Sequence, residues 1–325
     1  MPRLAACAIF RNEAPYLLEW LAYHMAVGVD RFVLYDNRST DGGADRVRQS
    51  AFAERATVIP WPDEPGQLSA YAHFVEHHAA RFDWVAALDL DEFLLPLDAQ
   101  SVPAMLARYD GFSGVLVSWL VFGPSGWNRP PPGLVLESYH QRAAEDLPLN
   151  HHVKTIYRGA DVLGITRNSH EFQLRGPVCN TAGQAVPNTG IQPVPCHAGM
   201  VLNHYQTRSR QEWAAKLRRG SAMIVSDQPR YPPELIEHYV DICRTEDRRI
   251  MRWIPEVRRL LQDGPPPLPE PFVFQDRSQP DAPWHAALRD RADPFAAPRL
   301  LRDRDGRPRA FATERDAEAA CDAAR

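Results

Sequence analysis

Cysteine is scarce in this 325-residue chain: five residues, Cys7, Cys179, Cys196, Cys243 and Cys321, lie far apart and are odd in number. No CxxC pair occurs, so a full disulfide framework is excluded and a reducing cytoplasm is the expected compartment. Only Cys179 and Cys196 are placed to close a loop. The histidine pairs His77-His78 and His151-His152 lack finger-spaced partners or an HExxH helix, which excludes zinc. Long apolar runs are missing too. The run within Met1–Phe10 is cut off by Arg11, Asn12 and Glu13, too soon for a signal core, and nothing approaches the roughly twenty apolar residues of a span. A soluble protein is expected, or one bound only peripherally to a membrane or a complex. Neither charge dominates: 37 Lys and Arg against 41 Asp and Glu leave a net charge of −4, so no global field recruits nucleic acid. Neither GxGxxG nor GxxxxGK[ST] follows any strand-like segment, which removes the main support for redox and NTPase chemistry.

What is there is an alternation. Leu4–Phe10 reads as a buried strand, and Leu17, Leu18, Leu21 and Met25 then recur at helical spacing. Asn12 is available as the cap of that helix, which should stop near Gly28. Strands over Arg31–Tyr35, Thr57–Trp61 and Trp84–Leu88, with a helix over Ser69–Arg81, complete an α/β pattern with a mostly parallel, Rossmann-like sheet flanked by helices. Beyond Leu97 an α+β half is expected: a short helix near Val102–Arg108, strands over Gly114–Phe122 and Met200–His204, a loop over 123–133, loops around short strands over 161–195, and helices over Glu212–Arg219, Pro233–Thr245 and Asp247–Leu261. Gly264 opens the run Gly-Pro-Pro-Pro-Leu-Pro-Glu-Pro, which favours extended backbone and marks a boundary between residues 1–263 and 264–325. The tail is charged and Ala-rich, and a loose segment or a terminal helix is expected there.

In parallel sheets ligands bind at the carboxyl ends of the strands, and three strand ends carry polar clusters. They are Arg11-Asn12-Glu13, Asp36-Asn37, and Asp89-Leu90-Asp91-Glu92. Two carboxylates one residue apart suit a hard cation such as Mn²⁺ or Mg²⁺, which keeps positions open for phosphate oxygens. The apolar Phe93-Leu94-Leu95 that follows holds these charges near the core, where an unpaired carboxylate is costly. An Asp at the second cluster can accept from a pyrimidine N–H or a ribose hydroxyl, and Arg11 can contact phosphate. His204, at the end of its strand, can offer a neutral imidazole to a metal at Asp91, and Lys154, Arg208 and Arg210 can grip phosphates.

Taken in order, these residues resemble the glycosyltransferase family 2 and family 92-like proteins. The likeness runs through Phe10-Arg11-Asn12-Glu13, Tyr16 to Trp20, Tyr23-His24, Gly28-Val29 and Tyr35 to Asp41. It continues with Gln67, Tyr71, Trp84-Val85, Leu88 to Leu94, Asn203-His204-Tyr205, Lys216 and Arg219-Gly220. It covers about residues 5–260 and is poor over 124–195. The resemblance implies a GT-A fold, a nucleotide-diphosphate sugar donor, UDP-linked first of all, and Mn²⁺ or Mg²⁺. It places Asp36 at the base, Asp89 at the ribose or metal, and Asp91 and His204 at the metal. Arg11, Asn12, Glu13, Asn37, Gln67 and Lys154 complete the implied donor site, with a glycan or other hydroxyl as acceptor and polysaccharide assembly as the setting.

The expected reaction is inverting transfer, with a carboxylate removing the acceptor proton while a metal stabilises the departing diphosphate. Glu171 is the first choice for that base, ahead of Asp146, Glu145 and Asp227. Two other classes use the same residues: a Mg²⁺-dependent nucleotidyltransferase or phosphohydrolase, and a sugar-binding module without catalysis.

Overall fold

The computed structural model describes residues 2–220, 223, 231–266, 270–275, 284–289, 299–300, 309–311 and 320. Residues 1–264 form one compact unit and 265–325 another. In the second, four short strands make an antiparallel sheet in which Trp284–Arg289 pairs with Glu270–Gln275, Arg299–Leu300 and Ala310–Phe311. These strands stand where a loose segment or a helix is expected.

The first unit is built on β1 (Leu4–Phe10), β2 (Arg31–Asp36), β3 (Ala56–Pro60), β4 (Trp84–Ala87), β5 (Glu92–Pro96) and β6 (Gly114–Val121). β1 lies between β2 and β4, and β3 follows β2, all four parallel. Val153–Arg158 inserts antiparallel between β4 and β6, so β6 runs with the parallel set. Met200–His204 then pairs parallel with β6 and antiparallel with β5. The expected α/β class with a mostly parallel central sheet is what the chain adopts.

Every residue of β1 is buried, and its two-residue period divides it between two layers. Ala6, Ala8 and Phe10 join Leu17, Trp20 and Leu260 on one face, while Ala5, Cys7 and Ile9 join Tyr71 and Phe74 on the other. A fully buried large side chain of this kind contributes about 1.5–3 kcal/mol. The helix Leu17–Ala26 is tied to β5 as well as packed on it: Trp20 Nε1 donates to the Glu92 carbonyl at 3.0 Å and the Tyr23 hydroxyl to that of Leu94 at 2.7 Å.

Asn12 does not cap that helix. Tyr16 holds the cap position without a side-chain bond, and Asn12 adopts a left-handed φ of 54°. Its Oδ1 accepts from the Thr40 amide at 2.8 Å, and its own amide donates to Ser39 Oγ at 3.0 Å, so Asn12 joins the loops after β1 and β2. Asn and Asp tolerate this conformation through such local bonds. The helix does end where expected, with Gly28 at φ 106°.

Among the strands that escape the pattern reading are two beside the acidic run. β5 begins at Glu92, inside the acidic run, and Val153–Arg158 carries the polar Lys154 and Thr155, which hide its apolar face. The expected helix over Asp247–Leu261 is a 3₁₀ turn, Arg249–Trp253, leading into a helix over Ile254–Asp263. Pro255 tolerates only the start of a helix, so the regular helix begins there.

Candidate active site

At the carboxyl ends of β1, β2 and β4 lies a cleft of about 320 Å³ lined by, among others, Arg11, Glu13, Asn37, Gln67, Asp89, Asp91 and His204. Asn12, Asp36, Lys154 and Glu171 are not part of that lining. A second cavity, of about 520 Å³, shares Glu13, Asp91, Gln206, Lys216 and Arg219 with it.

Asp89 leaves β4 with both oxygens engaged: Gln67 Nε2 donates to Oδ1 and Lys154 Nζ to Oδ2, each at 2.9 Å. Burial raises its pKa, yet Lys154 outweighs this and holds the carboxyl below its usual range. Lys154, wholly buried on the antiparallel strand, also lies 3.4 Å from Glu92 Oε2. It therefore stands beneath the cleft as a counter-ion, not at a phosphate. Burial pushes Glu92 up to about 8 against the pull of Lys154. Glu92 accepts from Trp119 Nε1 at 2.8 Å and from the Asp89 amide at 2.9 Å, which fixes the Trp119 ring in the cleft wall.

Asp91 faces a different set. Oδ1 is 3.6 Å from His204 Nε2, and Oδ2 accepts from Lys216 Nζ at 2.5 Å. Burial raises its pKa, but Lys216 and then His204 carry it well below the usual range. His204 itself is kept neutral by burial, against the pull of Asp91. Glu13 is held ionised against burial by Arg208 and Arg219; Arg208 Nη1 lies 3.0 Å away, and its guanidinium stacks 3.5 Å over the Tyr16 ring. Lys216 and Arg219 share a helix, Arg210–Arg219, opened by a capping box in which Ser209 and Glu212 satisfy each other's backbone N–H.

Asp36 and Asn37 part company. Asp36 Oδ1 accepts from the Ser39 amide at 3.0 Å and shapes the turn, whereas Asn37 is buried and donates to the Trp61 and Asp63 carbonyls, both at 2.9 Å. Glu171 is no cleft base in this arrangement. Its Oε1 accepts from Asn168 Nδ2 at 3.1 Å and from the Gly190 amide at 2.7 Å, pinning two loops together. Glu145 pairs with Arg142 at 3.3 Å, Asp146 is exposed, and neither lines the cleft; Asp227 lies outside the described residues.

Pattern reading missed Glu92 as a buried anchor, and Trp119, His152, His170 and Gln206 as cleft residues. His170 gave a faint signal as the neighbour of Glu171. Trp119 gave none, since an aromatic in an apolar strand reads as core. Its ring stacks on His152 at 4.8 Å and meets His204 at 4.2 Å and His170 at 5.3 Å.

Among the described residues, no group of three or more His, Cys, Asp or Glu side chains is gathered as a metal cluster. Asp91 and His204 nevertheless present a carboxylate and a neutral imidazole to one point, a donor set that fits Mn²⁺ or Mg²⁺ with its other positions left to phosphate and water. Asp89, expected beside them, is taken by Gln67 and Lys154.

Residues 4–132 match the family model of glycosyltransferase family 92. A family 92 protein of Oryza sativa subsp. japonica is 29% identical over 69% of this chain and 36% of its own length. One from Ricinus communis is 28% identical over 69% of this chain and 39% of its own length. The chain thus spans little more than a third of the length of the curated relatives it matches. A solved structure of S. aureus TarS 1-349 with UDP superposes with a TM-score of 0.33 at 16% identity, covering 49% of this chain and 47% of that one. Over residues 4–132, then, the chain is similar to glycosyltransferase family 92, and that stretch contains Asn12, Asp36 and Asp89.

Proposed function

We propose that this chain is a glycosyltransferase that moves a sugar from a nucleoside diphosphate sugar, UDP-linked in the first instance, to a hydroxyl acceptor with inversion. One observation carries the reading: the matched segment ends its parallel strands in a cleft where Asp91 and His204 converge beside Lys216 and Arg219. Each acid there is balanced by a base, Asp89 by Lys154, Asp91 by Lys216, Glu13 by Arg208 and Arg219. With four bases facing three acids the site carries no surplus negative charge, so a dication entering it is best accompanied by a diphosphate.

Asp91 and His204 are the residues that would hold Mn²⁺ or Mg²⁺, and such an ion supplies Lewis-acid neutralisation of the departing diphosphate. Lys216 and Arg219, released towards phosphate oxygens, orient the diphosphate, and Gln67 and Lys154 keep Asp89 ionised and fixed at the cleft floor. Polysaccharide or glycan assembly is the proposed setting, and a reducing cytoplasm the proposed compartment, consistent with free thiols at Cys7, Cys179, Cys196 and Cys243. Among the described residues no helix is long and apolar enough to cross a membrane.

The test is a thermal-shift panel of UDP, GDP, CDP and their sugars, with and without Mn²⁺, on the wild type and on Asp91→Asn. A ligand at about 100 times its Kd adds roughly 2.7 kcal/mol to the native state. One nucleotide should stabilise the wild type only with metal, and Asp91→Asn should lose that effect. No shift with any nucleotide would remove the donor-site reading, and pyrophosphate release from a nucleoside triphosphate would favour nucleotidyl transfer instead.

A further inference from the structure

Three carboxylates line the cleft, and all three are committed to cations. Glu13 is held by Arg208 and Arg219, Asp89 by Lys154 and Asp91 by Lys216. Glu92 is sealed beneath them, and Glu171 pins Asn168 to Gly190. A hydroxyl attacking in this cleft therefore finds no uncommitted carboxylate among the described residues.

His170 differs from all of these. It lines the cleft, and its Nδ1 lies 2.7 Å from the Val153 carbonyl, which can only accept, so Nδ1 carries the proton and Nε2 the lone pair. Nε2 has no hydrogen-bond partner among the described residues. The backbone on either side of the ring is fixed as well: the His170 amide donates to Asn168 Oδ1 at 3.1 Å, and Thr155 Oγ1 donates to its carbonyl at 2.7 Å. Trp119 meets the imidazole edge-on at 5.3 Å. A base held in one tautomer by a second group, on a residue that lines a cleft, is the arrangement that general-base chemistry requires.

We propose that His170 is the catalytic base of the transfer, accepting the proton of the attacking hydroxyl at Nε2. The inference rests on the reading of the cleft as a nucleotide-sugar site. As the acceptor oxygen forms its bond to the anomeric carbon, the bond from that carbon to the diphosphate oxygen breaks and its electron pair leaves with the diphosphate. The hydroxyl proton passes to Nε2. The imidazolium so formed keeps its Nδ1–H on the Val153 carbonyl, and the Asp89 carboxylate favours its charge. Burial first, and then Lys154, hold the pKa of the ring down to about 3 while the cleft is empty, so it is unprotonated but a weak base until donor binds. The negative charge of a bound diphosphate then favours the cation.

The test compares His170→Asn with His170→Ala in the full chain. The Asn side chain can still donate to the Val153 carbonyl but offers no basic nitrogen, so it separates catalysis from anchoring. UDP-glucose and UDP-galactose hydrolysis with Mn²⁺ is followed by UDP release, water standing in for the acceptor, and UDP binding by thermal shift. Both variants should keep the wild-type UDP shift and lose roughly 100-fold or more in kcat. Added imidazole should restore part of the rate to His170→Ala alone. His170→Asn within about threefold of the wild-type kcat would overturn the assignment, small changes of that size being ordinary for residues outside the chemistry. So would a fall in UDP binding that tracks the fall in rate. A wild type that neither binds UDP nor releases it from either sugar would take down the donor-site reading and this inference with it.

Discussion

Lys154 Nζ lies 2.9 Å from Asp89 Oδ2 with its side chain only 1% exposed, at the end of a strand that runs against its neighbours. The lysine can reach the acidic strand end because Val153–Arg158 enters the sheet antiparallel between β4 and β6. Its ammonium is the cation that makes a fully buried Glu92 and a cleft-facing Asp89 compatible with one small space.

Replacing Lys154 with methionine should therefore cost about 3–5 kcal/mol, the usual cost of leaving one partner of a buried pair uncompensated. The double variant Lys154→Met/Asp89→Asn should recover part of that loss. Chemical denaturation of the two single variants and the double one measures the coupling, and simple additivity would contradict the pairing.

Glu171 should prove structural. Both of its bonds end on Oε1, which glutamine can reproduce, so Glu171→Gln should transfer sugar at close to the wild-type rate. Glu171→Ala should lose about 1–3 kcal/mol of stability through the unpaired Asn168 and Gly190 donors. A stable Glu171→Gln protein with abolished transfer would return the base role to this residue and remove it from His170.

His24 makes stability depend on pH. It is fully buried, with Nδ1 on the Trp20 carbonyl at 2.9 Å and Nε2 facing the Leu94 amide at 3.4 Å, and burial holds its pKa down to about 3. Unfolded histidine titrates near pH 6.5, so between about 6.5 and 3 the unfolded chain binds a proton that the folded chain refuses. Its contribution is complete above about pH 6.5 and is lost as pH falls towards 3, by roughly 1.4 kcal/mol per unit. His24→Gln should show a shallower fall in unfolding free energy between pH 6 and 4 than the wild type. Parallel curves would mean that His24 is already protonated in the fold.

Gly28 should not tolerate a side chain. At φ 106°, an added Cβ would stand 2.7 Å from Pro103 Cδ, so strain and collision act together. Gly28→Ala should lose about 1–3 kcal/mol, read as a fall in Tm, and an unchanged Tm would mean that the turn relaxes freely.

Several elements were legible in the chain because their signals are local. The continuous apolar run of β1, the helical spacing of Leu17, Leu21 and Met25, and Gly28 as the stop each depend on a few neighbouring residues. So does the placement of Asp89 and Asp91 at a strand end, from which a cleft at the carboxyl edge follows. The stretch that matches the family, residues 4–132, contains these short motifs.

Partnership was decided only by the tertiary structure, since charge compensation and hydrogen bonding act through space. Asn12 looked like a cap and became a tie between two loops, because the first turn after β1 is left-handed and Ser39 and Thr40 lie opposite. Lys154 looked like a phosphate ligand and became a buried counter-ion, because an antiparallel strand carries it beneath Asp89. Glu171 and His170 are adjacent in the chain, yet one binds Asn168 and Gly190 while the other lines the cleft. Sequence by itself determined which chemical groups the strand ends would offer. Long-range strand pairing, set by the packing of both sheet faces, determined which of them are neutralised, which are buried, and which remain to meet a substrate.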